Sequence, residues 1–143
     1  MSGRRYMYLA LVLVLAAVLY AWTARPGPAA PGALLAREEI LADLANLEDN
    51  PLPVQPVLGG RLYATGVMFP QDFAGRAGDQ FWVVVEDGHV LFTLRCQVVE
   101  SAGARPGFAV CEVQERLVHP PGAYQPWVWD GQQFVQRPVE GAS

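Results

Sequence analysis

The chain has 143 residues, 52% of them hydrophobic, and fourteen acidic side chains against ten basic ones give a net charge of −4. All ten basic residues are arginine, and Arg4 and Arg5 precede the first apolar run, so the remainder sets eight arginines against the same fourteen acids. A balance of this kind excludes nucleic acid as a main partner, because phosphate neutralisation needs a basic face, and it argues against lying flat on anionic lipid.

Residues 1–5 form a short basic leader. Tyr6 to Trp22 then reads YMYLALVLVLAAVLYAW without a charge. With Thr23 and Ala24 it spans about 28 Å as a helix, close to the roughly 30 Å hydrocarbon core of a bilayer. Tyr6 and Tyr8 at one end, and Tyr20 and Trp22 at the other, suit the two membrane interfaces. Arg4 and Arg5 place the N-terminus in the cytoplasm by the positive-inside rule, and everything after residue 24 in the periplasm or at the cell exterior. Signal-peptide cleavage after Ala24 or Ala21 would set bulky Trp22 or Leu19 three residues before the cut, so 6–24 reads as an uncleaved single-pass anchor.

Residues 25–32, RPGPAAPG, cannot continue a helix and read as a semi-stiff linker. The segment 33–49 predicts a short amphipathic juxtamembrane helix, with Leu34, Ile40, Leu41, Leu44 and Leu47 on one stripe. It packs either on its own β domain or on another chain, whether a second copy or a neighbouring membrane protein. Residues 50–60 form a Pro-rich connector.

From residue 61 to 138 the pattern changes to short strands broken by turn signals. Arg61–Phe69 is a first strand, in which Gly66 signals a bulge or close approach. Phe81–Glu86 and His89–Glu100 flank Asp87-Gly88, a strong hairpin signal. A two-residue loop there sets Val85 opposite Val90, Val83 opposite Phe92 and Glu86 opposite His89. His89–Glu100 alternates Val90, Phe92, Leu94, Cys96 and Val98 on one face and reads as the central strand. Phe108–Val118 resumes after a turn-rich break, in a register that faces Cys111 with Cys96. A Cys96–Cys111 disulfide is expected in an oxidising compartment, worth roughly 3 kcal/mol for so short a loop. A last hairpin, Pro126–Trp129 and Gln132–Val135, turns at Asp130-Gly131 and sets Trp127 against Phe134. Residues 139–143 read as a loose end. The expected fold is mostly β: a transmembrane helix, a short helix, and a small antiparallel sheet or barrel of about five or six strands, sized like an oligonucleotide/oligosaccharide-binding-type or SH3-like barrel.

The chemistry-bearing inventory is thin. The three serines are Ser2, Ser101 and Ser143 and the two histidines His89 and His119, a poor supply for a Ser–His–Asp constellation. Cys96, Cys111, His89 and His119 lack zinc-knuckle spacing, and His89 lies off the face of Cys96. The expectation is a non-enzyme without metal or cofactor. Surplus apolar surface is the stronger signal: Trp82, Val84 and Leu91 fall on the hairpin face opposite the inferred core. They form a partner-binding patch unless the 33–48 helix covers them. Trp127 and Trp129 are the candidate platforms for stacking a ligand. The preferred reading is therefore a membrane-anchored extracytoplasmic β domain that serves a cell-envelope complex as an accessory or assembly subunit, with an envelope or membrane protein as partner, or self-association. Two alternatives stand beside it: a glycan- or peptide-binding module, and an enzyme with a carboxylate site at Glu112, Glu115 or His89.

Overall fold

The computed structural model describes residues 32–47, 52, 54–56, 60–101 and 105–139. The expected anchor at 6–24 lies outside them, as do residues 1–5, 25–31 and 140–143 and much of the 50–60 connector. Among the described residues no helix is long and apolar enough to cross a membrane.

Among the described residues one helix, α1 (Arg37–Ala45), precedes six strands: β1 (Tyr63–Pro70), β2 (Gln80–Glu86), β3 (Leu91–Val99), β4 (Gly107–Gln114), β5 (Tyr124–Trp129) and β6 (Phe134–Gln136). They form one antiparallel sheet in the order β4-β3-β2-β1-β5-β6. The first four strands are a meander, and the last hairpin returns to the free side of β1. The edge strands β4 and β6 do not pair with each other, so the sheet is open and not the closed barrel that was one of the two expectations.

α1 is shorter than the 33–49 pattern predicts. Ala36 is its N-cap, and the Glu39 carboxylate reaches back to accept the Ala36 N–H at 3.0 Å. Ile40, Leu41 and Leu44 turn inward as expected, but the buried residue ahead of the helix is Leu35, while Leu34 is exposed. These side chains meet Val67, Phe69, Phe81 and Val83 on the inner face of the sheet, in one core that continues through Phe92, Leu94 and Cys96 of β3. Arg37 fastens the helix. Its guanidinium lies over the rings of Phe69 and Phe73 at 5.6 and 5.8 Å and donates to Gln125 Oε1 and the Phe73 carbonyl. Arg105 ties the approach to β4 to the same helix through Glu39 and Asp43, at 3.4 and 2.6 Å. The Asp43 hydrogen bond raises the guanidinium's pKa above its ordinary value.

The outer face is crossed by the connection from β4 to β5, residues 115–123. Thr93, fully buried on that face, donates its hydroxyl to the Arg116 carbonyl at 2.8 Å and accepts the Val118 N–H at 3.1 Å. The strap then passes Trp82 at Pro121 and ends where Gln71 donates to the Ala123 carbonyl.

Both Asp-Gly hairpins form, each two residues out of the expected register. Val85 faces Phe92, Val83 faces Leu94 and Glu86 faces Leu91; in the last hairpin Trp129, not Trp127, faces Phe134. The cause is the same in both. The aspartate precedes the turn, and its Oδ1 accepts two backbone N–H groups, those of His89 and Val90 for Asp87 and of Gln132 and Gln133 for Asp130. The glycine thereby takes the first central position, with φ of 87° at Gly88 and 106° at Gly131. A slip of two leaves every side chain on its expected face. The bulge foreseen at Gly66 is present, between Ala64 and Gly66.

Candidate functional site

β4 carries a second bulge, and it decides the state of the cysteines. Arg95 faces Glu112 but Cys96 faces Val110, so Cys111 is the extra residue. Its Sγ lies 3.5 Å from Gln97 Oε1, beside a residue of opposite parity to Cys96. Cys96 is buried, Cys111 is exposed, and both are free thiols. The expected Cys96–Cys111 disulfide is therefore corrected: the bulge removes the direct cross-strand position that the bond requires. Burial, with a lesser contribution from nearby Cys111, pushes the Cys96 thiol up to about 12.

The tryptophans are redistributed as well. Trp82 is only 7% exposed, beneath the strap and opposite Met68, so it is not the open anchor of a partner-binding patch. The cover is the strap and not α1, which lies on the other face. Val84 and Leu91 stay partly exposed beyond the strap. The register extends them sideways: Val84 lies beside Gly66, which lies beside Val128 of β5, and Leu91 lies beside Glu86, which lies beside Tyr63 of β1. Tyr63 and Val128 are 53% and 39% exposed. Val84 leans over Gly66, its Cγ2 3.5 Å from where a Cβ would stand. Tyr63, Val84, Leu91 and Val128 thus make an apolar patch on the outer face, at the hairpin-tip end of the sheet. Arg37 contacts Phe73 and Gln125 at the opposite end, so the chain enters the domain far from the patch. Val128 escaped sequence reasoning because only the crossing from β4 to β5 brings β5 beside β1, and Tyr63 because its place beside Glu86 depends on the β1–β2 register.

Trp127 and Trp129 do not project as an aromatic tip. Both are half-buried against the core, and Trp129 packs edge-on to Phe134 at 5.2 Å. The indole Nε1 of Trp127 is buried without a partner among the described residues. Trp129 does wall a hollow of about 340 Å³ together with Leu44, Leu47, Arg61 and Leu62. A second hollow of about 330 Å³ adjoins it, sharing Leu47, Arg61 and Leu62.

The candidate acid–base residues are not assembled into one site. Glu112 pairs with Arg95 at 3.3 Å and accepts from Gln114. His89 is exposed, its N–H held by Asp87 and its cross-strand partnership with Glu86 replaced by Leu91. His119 Nδ1 meets Tyr124 OH at 3.0 Å, the two rings stacked. Asp79 accepts the Ala74 and Arg76 N–H groups of its own loop. Among the described residues no three His, Cys, Asp or Glu side chains converge to hold a metal.

No family model, curated protein or solved structure matches this chain.

Proposed function

We propose that the chain is a single-pass, membrane-tethered protein whose extracytoplasmic β domain binds another envelope or membrane protein as an accessory or assembly subunit. The observation that carries this reading is the Tyr63–Val84–Leu91–Val128 patch, which the strap leaves open among the described residues. The uncharged run at 6–24 supports the tether, and the acidic balance of the remainder supports a protein partner over nucleic acid or anionic lipid. The test is gentle detergent extraction of the native full-length protein, with mass spectrometry of what remains bound. A stoichiometric envelope protein is expected, and the Leu91→Ser/Val128→Ser double variant releases it while its thermal unfolding stays close to wild type. A protein that elutes without a partner, or a partner retained by the double variant, rejects the reading.

The hollow beside Trp129 favours a second reading, a small glycan or peptide ligand lying along the indole. Ligand-dependent tryptophan fluorescence that Trp129→Leu abolishes would distinguish it.

A further inference from the structure

Glu86 ends β2 inside the apolar patch. The register sets it between Tyr63 and Leu91, and Val84 lies two residues back on the same face. Glu86 is exposed and takes no ion-pair or hydrogen-bond partner among the described residues. Several other carboxylates are engaged, Glu112 by Arg95, Glu39 and Asp43 by Arg105, and Asp87 and Asp130 by the backbone of their turns, while Glu86 is the carboxylate set among the apolar side chains of the patch. A lone carboxylate within an apolar rim selects what can land there, because a partner that buries it must supply a counter-charge.

That requirement separates the possible occupants. A second copy of this chain docking patch to patch about a two-fold axis brings Glu86 toward its own symmetry mate, on a molecule of net charge −4. An anionic lipid surface is repelled in the same way. We infer that the patch receives a segment of a different protein bearing an arginine or lysine beside an aliphatic side chain. The aliphatic group lies on Val84, Leu91 and Val128 and the cation on Glu86. This deepens the protein-binding role proposed above and rests on it.

The test uses full-length protein in detergent micelles and two synthetic probes, a short peptide of alternating leucine and arginine and its counterpart with citrulline for arginine. The arginine peptide is expected to bind about threefold or more tighter, as for a partly exposed charge pair. Glu86→Gln erases the difference, and Leu91→Ser/Val128→Ser weakens both peptides. Equal affinity of the two peptides for the native protein, or a preference that survives in Glu86→Gln, overturns the charge recognition. If that equal binding is still lost in the double serine variant, the apolar docking role stands and only its charge chemistry fails. No binding of either peptide at millimolar concentration overturns the inference, and so does concentration-dependent dimerisation that the double serine variant abolishes.

Discussion

At the scale of single residues, two glycines show how different a positive φ can be in cost. Gly75 has φ 77°, and a Cβ there would collide with the carbonyl oxygen of Leu35, whose N–H donates to the Gly75 carbonyl at 2.9 Å. Gly88 has φ 87° and open space around it. Gly88→Ala should therefore cost only the left-handed backbone penalty, about 1 kcal/mol. Gly75→Ala adds a backbone collision that drives the helix entry off the sheet and should cost about 3 kcal/mol or more. Chemical denaturation of the two variants checks the order; equal losses would mean that the Leu35 backbone does not close on Gly75. The buried thiol of Cys96 makes a claim about pH. Folded, it stays protonated up to about 12, while the unfolded chain ionises it near the ordinary 9.0. The unfolded state releases its proton first, so stability is whole below about pH 9 and declines as pH rises toward 12, by about 1.4 kcal/mol per unit. Unfolding of wild type beside Cys96→Val should show the gap between them shrinking with alkalinity; parallel profiles would count against a protonated, buried Cys96. That Cys96 is inward was legible in the alternation from Val90 to Val98. That Cys111 is not was illegible, because an ordinary residue marks that bulge, whereas Gly66 announces the one in β1.

At the scale of elements, the hairpins mark the limit of turn chemistry as a guide. Asp-Gly located both turns and periodicity assigned both faces, because parity survives a slip of two. Register depended on which atoms close the turn, and an aspartate side chain that captures two N–H groups moves the turn one residue along the chain. The strap was invisible for a different reason. Glu115 to Gly122 has no period, and the residue that fixes it, Thr93, reads in sequence as an ordinary polar residue on a strand's solvent side. Its complete burial with two strap hydrogen bonds predicts a measurable latch. Thr93→Val strands the Arg116 carbonyl and the Val118 N–H, at about 1–3 kcal/mol. Hydrogen exchange at Val118 should quicken selectively, while the amides of β2 and β3 keep most of their protection. Unchanged exchange would mean that packing of buried Pro120, and not the hydroxyl, holds the strap. α1 was legible as an amphipathic helix, but not which face it would cover: the apolar stripe says that a helix packs, and only the sheet's two unequal faces say where.

At the scale of the molecule, the placement of β5 against β1 has a consequence for how the domain is made. Synthesis runs from β1 to β4 before the strand that completes β1's second side exists, and the strap that shields Trp82 comes later than the tryptophan it shields. An emerging chain that has finished β4 therefore carries a bare β1 edge and an uncovered outer face, the two features that most readily recruit another nascent chain. Closure waits for the last two strands of the sheet. Premature termination between Gln114 and Tyr124 would thus leave not a smaller version of this domain but an adhesive four-stranded meander, which makes the C-terminal hairpin the protein's own safeguard against self-association at β1.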